Sequence, residues 1–69
     1  MEPFEKDEMI KLQANIVRMK QLNSEDSFII ALGAMQIIEA YNMSLDVSFK
    51  KRMTKYALFI NRNIELALN

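Results

Sequence analysis

The chain contains no cysteine, no histidine and no tryptophan, and only one glycine and one proline. Without cysteine there is no disulfide to brace a small core. Lacking both cysteine and histidine, the sequence also excludes ordinary zinc ligand sets and cysteine or histidine catalysis. No glycine-rich phosphate loop and no metal-ligand spacing is present, so no cofactor and no metal are expected. Net formal charge is zero and the pI is about 6.2, which disfavours a uniformly basic nucleic-acid binder. No basic segment precedes an apolar run at the N-terminus, where Glu2, Glu5, Asp7 and Glu8 sit, so no secretory signal is expected.

What is present is apolar material at helical spacing. Half the residues (51%) are hydrophobic, which excludes a disordered or low-complexity chain, and the scarcity of glycine and proline leaves little for turns. An all-α fold follows, with three helices at about 4–22, 25–41 and 46–67 in a single domain, 1–69. A domain this short buries only about 60% of its unfolded surface, and such a core rarely supplies more than about 3–5 kcal/mol. Disulfides and metals being excluded, association is the remaining remedy.

The most apolar stretch is FIIALGAMQIIEAY at 28–41, whose one ionisable side chain before Tyr41 is Glu39. On a helical wheel Phe28, Leu32 and Met35 form one face, and Ile30, Ala34, Ile37 and Tyr41 point the opposite way. A helix apolar on two sides is expected to be central, contacted from at least two directions. Between those faces runs a strip of Gly33, Gln36 and Ala40, where glycine costs roughly 1 kcal/mol relative to alanine. Either another backbone approaches Gly33 closely, or the strip faces solvent. The uncharged run 27–38 falls short of the roughly 17 residues needed to cross a bilayer, and no membrane association is expected.

Pro3 suits the first turn of the first helix, and Glu5, Asp7 and Glu8 complement its dipole. Met9, Leu12, Ile16 and Met19, flanked by Ile10 and Val17, define an apolar stripe, with Lys11, Arg18 and Lys20 away from its centre. Asn23 and Ser24 are candidate N-caps of the second helix. The short connection favours antiparallel packing of the first helix against the second. Asn42 is suited to a left-handed helix end, and either Ser44 or Asp46 caps the third helix. That helix places Phe49, Met53, Tyr56, Ile60, Ile64 and Ala67 on one side, widened by Phe59 and Leu66. Five methionines besides Met1 (Met9, Met19, Met35, Met43 and Met53) suit irregular core gaps.

A single three-helix chain has no use for so broad a stripe, and large exposed apolar patches mark association. The expected homodimer or partner interface is Ile30, Gly33, Ile37, Tyr41, Tyr56, Phe59, Ile60 and Leu66. Charge is unevenly spread. Lys50, Lys51, Arg52 and Lys55 form a basic group early in the third helix and are the candidate contacts for an anionic partner. Either the group is an ordinary solvated face, or its partner is another protein, the acidic segment 2–8 of a second subunit, or nucleic acid through phosphate contacts. Carboxylates 5, 7 and 8 are expected to be solvated, and Glu39 to lie near burial with Arg18, Arg52 or Lys55 as partner. Neither arrangement resembles a tuned acid–base pair.

The segment DSFIIALGAM at 26–35 resembles the D-L-S-L-I-A-L-G-N-M-like run that heads the central helix of the YejL-like proteins, small bacterial proteins without an assigned activity. The resemblance covers about residues 7–65, including the short connection at 42–46 and the aromatic with Ala-Leu at Tyr56, Ala57 and Leu58. It departs in two places: the family's basic, proline-containing linker is replaced by QLNSE at 21–25, and the asparagine after the glycine is Ala34. The resemblance implies an all-helical homodimer with swapped or interleaved helices. Taken together, the expectation is a cytoplasmic, non-enzymatic interaction or regulatory module acting as a homodimer through apolar helix faces. A nucleic-acid-associated accessory protein using the basic group is the alternative.

Overall fold

The computed structural model describes residues 3–68, with side chains from Lys6 onward. Three helices, α1 (Pro3–Gln21), α2 (Glu25–Met43) and α3 (Val47–Leu68), each pack on the other two. No strand occurs among the described residues. The molecule's longest dimension, 34 Å, is about the length of a 22-residue helix at 1.5 Å per residue, as expected for helices lying side by side.

Local chemistry sets the boundaries. Leu22 and Asn23 donate their amides to the Met19 and Lys20 carbonyls, closing α1. Asn23 then takes a left-handed conformation, with φ of 53°, which asparagine tolerates better than most residues. Ser24 caps α2, its hydroxyl accepting the Ser27 amide at 3.1 Å, and Glu25 and Asp26 follow where the dipole favours acids. The left-handed turn is therefore at Asn23 and not at Asn42, which stays helical because α2 runs on to Met43 before Ser44 extends the chain. At α3 the choice between caps resolves to Asp46. Its Oδ1 accepts the amides of Ser48 and Phe49 at 2.9 and 3.3 Å, while Ser44 Oγ takes the Asp46 amide.

The core joins large residues to small ones. Met9, Leu12, Ile16 and Met19 of α1 meet Ala31, Ala34 and Tyr41 of α2 and Ala57 and Ile64 of α3. Alanines on two helices let the bulky α1 stripe approach closely. Ile10 and Val17 do not flank that stripe; they lie on its opposite side and are exposed. Nor is α2 buried on two faces. Its hidden line is Ser27, Ala31, Ala34 and Tyr41, leaving Phe28, Leu32 and Met35 exposed. Of the five methionines expected inside, Met35 and Met43 are also exposed.

Candidate interaction interface

The rotation of α3 creates the most informative surface. Its apolar stripe is centred about 80° away from the line that is buried, at 100° per residue. The buried line is Thr54, Ala57, Asn61 and Ile64. A polar seam holds it there. Asn61, 2% exposed, donates from Nδ2 to the Glu8 backbone oxygen and to Glu8 Oε2, each at 3.1 Å. Its Oδ1 accepts Asn15 Nδ2 at 2.9 Å. Arg18 Nη1 in turn donates to Asn15 Oδ1, and Lys11 Nζ lies 3.6 Å from Glu8 Oε1. Thr54 Oγ1 donates to the Lys50 carbonyl. Among the described residues no buried side-chain polar atom is left unpaired, so the seam avoids the penalty of orphaned groups in the interior.

Glu8 is accordingly not a solvated end-of-chain acid: it is 4% exposed, in the α1/α3 contact. Its position four residues before Leu12, with Asn15 three residues after, puts both beside the α1 stripe. That spacing is the signal by which the sequence could have revealed them. Glu39 is exposed and makes no ion pair among the described residues, and Arg18, one of its expected partners, serves Asn15 instead.

With Asn61 turned inward, the apolar flank of α3 faces out. Tyr56 is exposed and Phe59 is 69% exposed. Across from them stand Ile30, exposed, and Ile37, half-buried. Between α2 and α3 lies an open groove of about 230 Å³ lined by Met19, Ile30, Phe59, Ile60, Asn63, Ile64 and Ala67. Met19, Ile60 and Ile64 are its more buried members and form the floor; the exposed Ile30, Phe59, Asn63 and Ala67 form the rim. Every lining side chain but Asn63 is apolar, so the groove offers contact area and no reactive group.

The structure thus brings together Ile30, Phe59 and Ile60 from the expected interface, with Gly33, Ile37 and Tyr56 beside them on the same two helices. Two members fall elsewhere. Tyr41 is 2% exposed and belongs to this chain's core, and Leu66, although 79% exposed, does not line the groove. Gly33 is exposed, and a Cβ built there meets nothing within 4 Å. Within one chain Gly33 and Gln36 therefore face solvent, while Ala40 of the same strip is half-buried.

The basic group is divided. Lys50 Nζ sits 4.6 Å from the centre of the Tyr41 ring and the Arg52 guanidinium 5.8 Å from that of Phe49, both within cation–π range. Lys51 and Lys55 are exposed on another side of α3. Among the described residues no cluster of acids is placed to hold a metal, and no helix is long and apolar enough to cross a membrane. No family model, curated protein or solved structure matches the chain.

Proposed function

We propose that the chain is a non-enzymatic interaction or regulatory module of the cytoplasm that works as a homodimer and bridges or occludes a protein partner. One observation carries this reading. From Ser27 to Ile38 no residue is charged, and Phe28, Ile29, Ile30, Leu32 and Met35 are each 42–60% exposed. A monomer rarely leaves large apolar patches in water; here Ile30 shares a groove with Phe59 of α3, and Phe28, Leu32 and Met35 add exposed apolar surface on the other side of α2. The similarity to YejL-like proteins implies the same association, with helices interleaved between copies. Sedimentation equilibrium is the test: the expected species has twice the 8.1 kDa chain mass, and a folded monomer at micromolar concentration contradicts the reading.

The nucleic-acid alternative draws on the exposure of Lys51, Arg52 and Lys55. Counterion release would make such binding salt-dependent. Retention on heparin at low salt, abolished by exchanging Lys50, Lys51 and Lys55 for glutamine, would favour it. Absence of retention would remove it.

A further inference from the structure

Two rows of side chains run past the α2/α3 groove, one through Ile30 and the other through Phe59 and Asn63. On α2, Asp26, Ile30, Gly33 and Ile37 follow 4-3-4 spacing and share one side of the helix. On α3, Arg52, Tyr56, Phe59 and Asn63 do the same. Each row holds a single charge, and each charge is its first residue. Residues near the start of α2 and the end of α3 share the groove, as Ile30 with Ile60, Ile64 and Ala67 shows. Asp26, one turn before Ile30, therefore lies at one end of the apolar face. Arg52, two turns before Phe59, lies at the other. Both are exposed.

We infer that a second copy of this chain seats on the groove, related by a two-fold axis close to Phe59, so that Arg52 of each copy meets the partner's Asp26. The inference rests on the homodimer reading and specifies its geometry. A two-fold perpendicular to the face reverses it end to end, which turns one negative and one positive end into two opposite-charge pairs. An isologous contact needs this self-complementarity. The same operation brings the protruding Phe59 rings together at the groove, where two aromatics have large areas to bury. Ile29, Ile30, Tyr56 and Phe59, each roughly half exposed or more, offer on the order of 100 Å² apiece. Together they supply roughly half of the about 800 Å² per partner of a standard interface, and Asp26, Arg52 and Asn63, all exposed, border them. From α1 the groove takes only Met19, in its floor, and an α1 exchanged in the same register would supply it too, so the seating holds whether α1 packs on its own chain or is exchanged.

Sedimentation of wild type, Phe59→Ala, Asp26→Arg, Arg52→Asp and the double reversal tests the geometry, with circular dichroism confirming helix content. The expected result is a dimer constant weakened about a hundredfold by Phe59→Ala, the size of a central aromatic anchor. Either single reversal should weaken it about tenfold by placing like charges together. The double reversal should recover to within about threefold of wild type, the mark of a direct pair in a mutant cycle. A monomeric wild type overturns the homodimer reading and this seating with it. A dimeric wild type that ignores Phe59→Ala, or whose two reversals add without recovery, overturns the seating alone.

Discussion

Helices α1 and α3 both carry an apolar stripe, but α1 buries the whole of its stripe and α3 only one edge, with Ile64 in the core and Met53 and Ile60 half-buried against it. In α1 the stripe of Met9, Leu12, Ile16 and Met19 is the core. In α3 the broader stripe stands about 80° off the core, at 100° per residue, and the buried line is a threonine, an alanine, an asparagine and an isoleucine. The difference comes from polar chemistry. Asn61 has a donor and an acceptor, and Glu8 and Asn15 supply partners for both on the facing side of α1. Turning the stripe fully inward would carry Asn61 away from them and strand buried groups on α1. An amphipathic stripe thus announces a surface that needs covering, without saying that its own chain covers it.

Breaking the α1 side of this contrast should have the largest effect. Leu12 is fully buried, and Leu12→Ala should cost about 3 kcal/mol, a large part of the about 3–5 kcal/mol available to so small a core. Circular dichroism with urea titration should show the midpoint moved most of the way towards zero denaturant; an unchanged midpoint would remove α1 from the centre of the fold. Next comes the seam. Asn61→Ala should cost about 2 kcal/mol because Glu8 and Asn15 lose buried partners. Asn15→Ala should add little once Asn61 is gone, since the two act as one network; full additivity would deny the coupling.

The remaining two changes test the outward surfaces, measured where the monomer dominates. Gly33→Ala should stabilise the chain by about 0.5–1 kcal/mol, since the added methyl meets open space and alanine favours the helix. Destabilisation there would show that a backbone passes closer than the single chain reveals. Tyr56→Ser should shift chain stability by less than about 0.5 kcal/mol, as for an ordinary surface site. A loss near that of Leu12→Ala would mean that the α3 stripe turns inward after all.

The elements were legible because their signals are local. The expected bounds, 4–22, 25–41 and 46–67, lie within two residues of those observed, since Ser24, Asp46 and the apolar spacing act over a turn or less. The rotation of α3 was not legible, because it depends on hydrogen bonds between residues 46 and 53 positions apart. Nothing near Asn61 distinguishes it from Asn63, which is exposed and donates back to the Phe59 carbonyl of its own helix. Similar reasoning applies to the candidate interface. That Ile30, Phe59 and Ile60 meet at one groove follows from their stripes, whereas Tyr41 lies in the core because a wheel shows which residues share a side and not which side is inward.

Glu8, Asn15 and Asn61 also fix the register of the bundle. These three groups recognise each other by position along α1 and α3, so sliding either helix by a turn would leave amides facing methyl groups. They do not recognise which molecule α1 came from: an exchanged α1 would dock in the same register. What keeps α1 on its own chain is therefore not the seam but the bend at Asn23, the three-residue connection that folds it back onto α2.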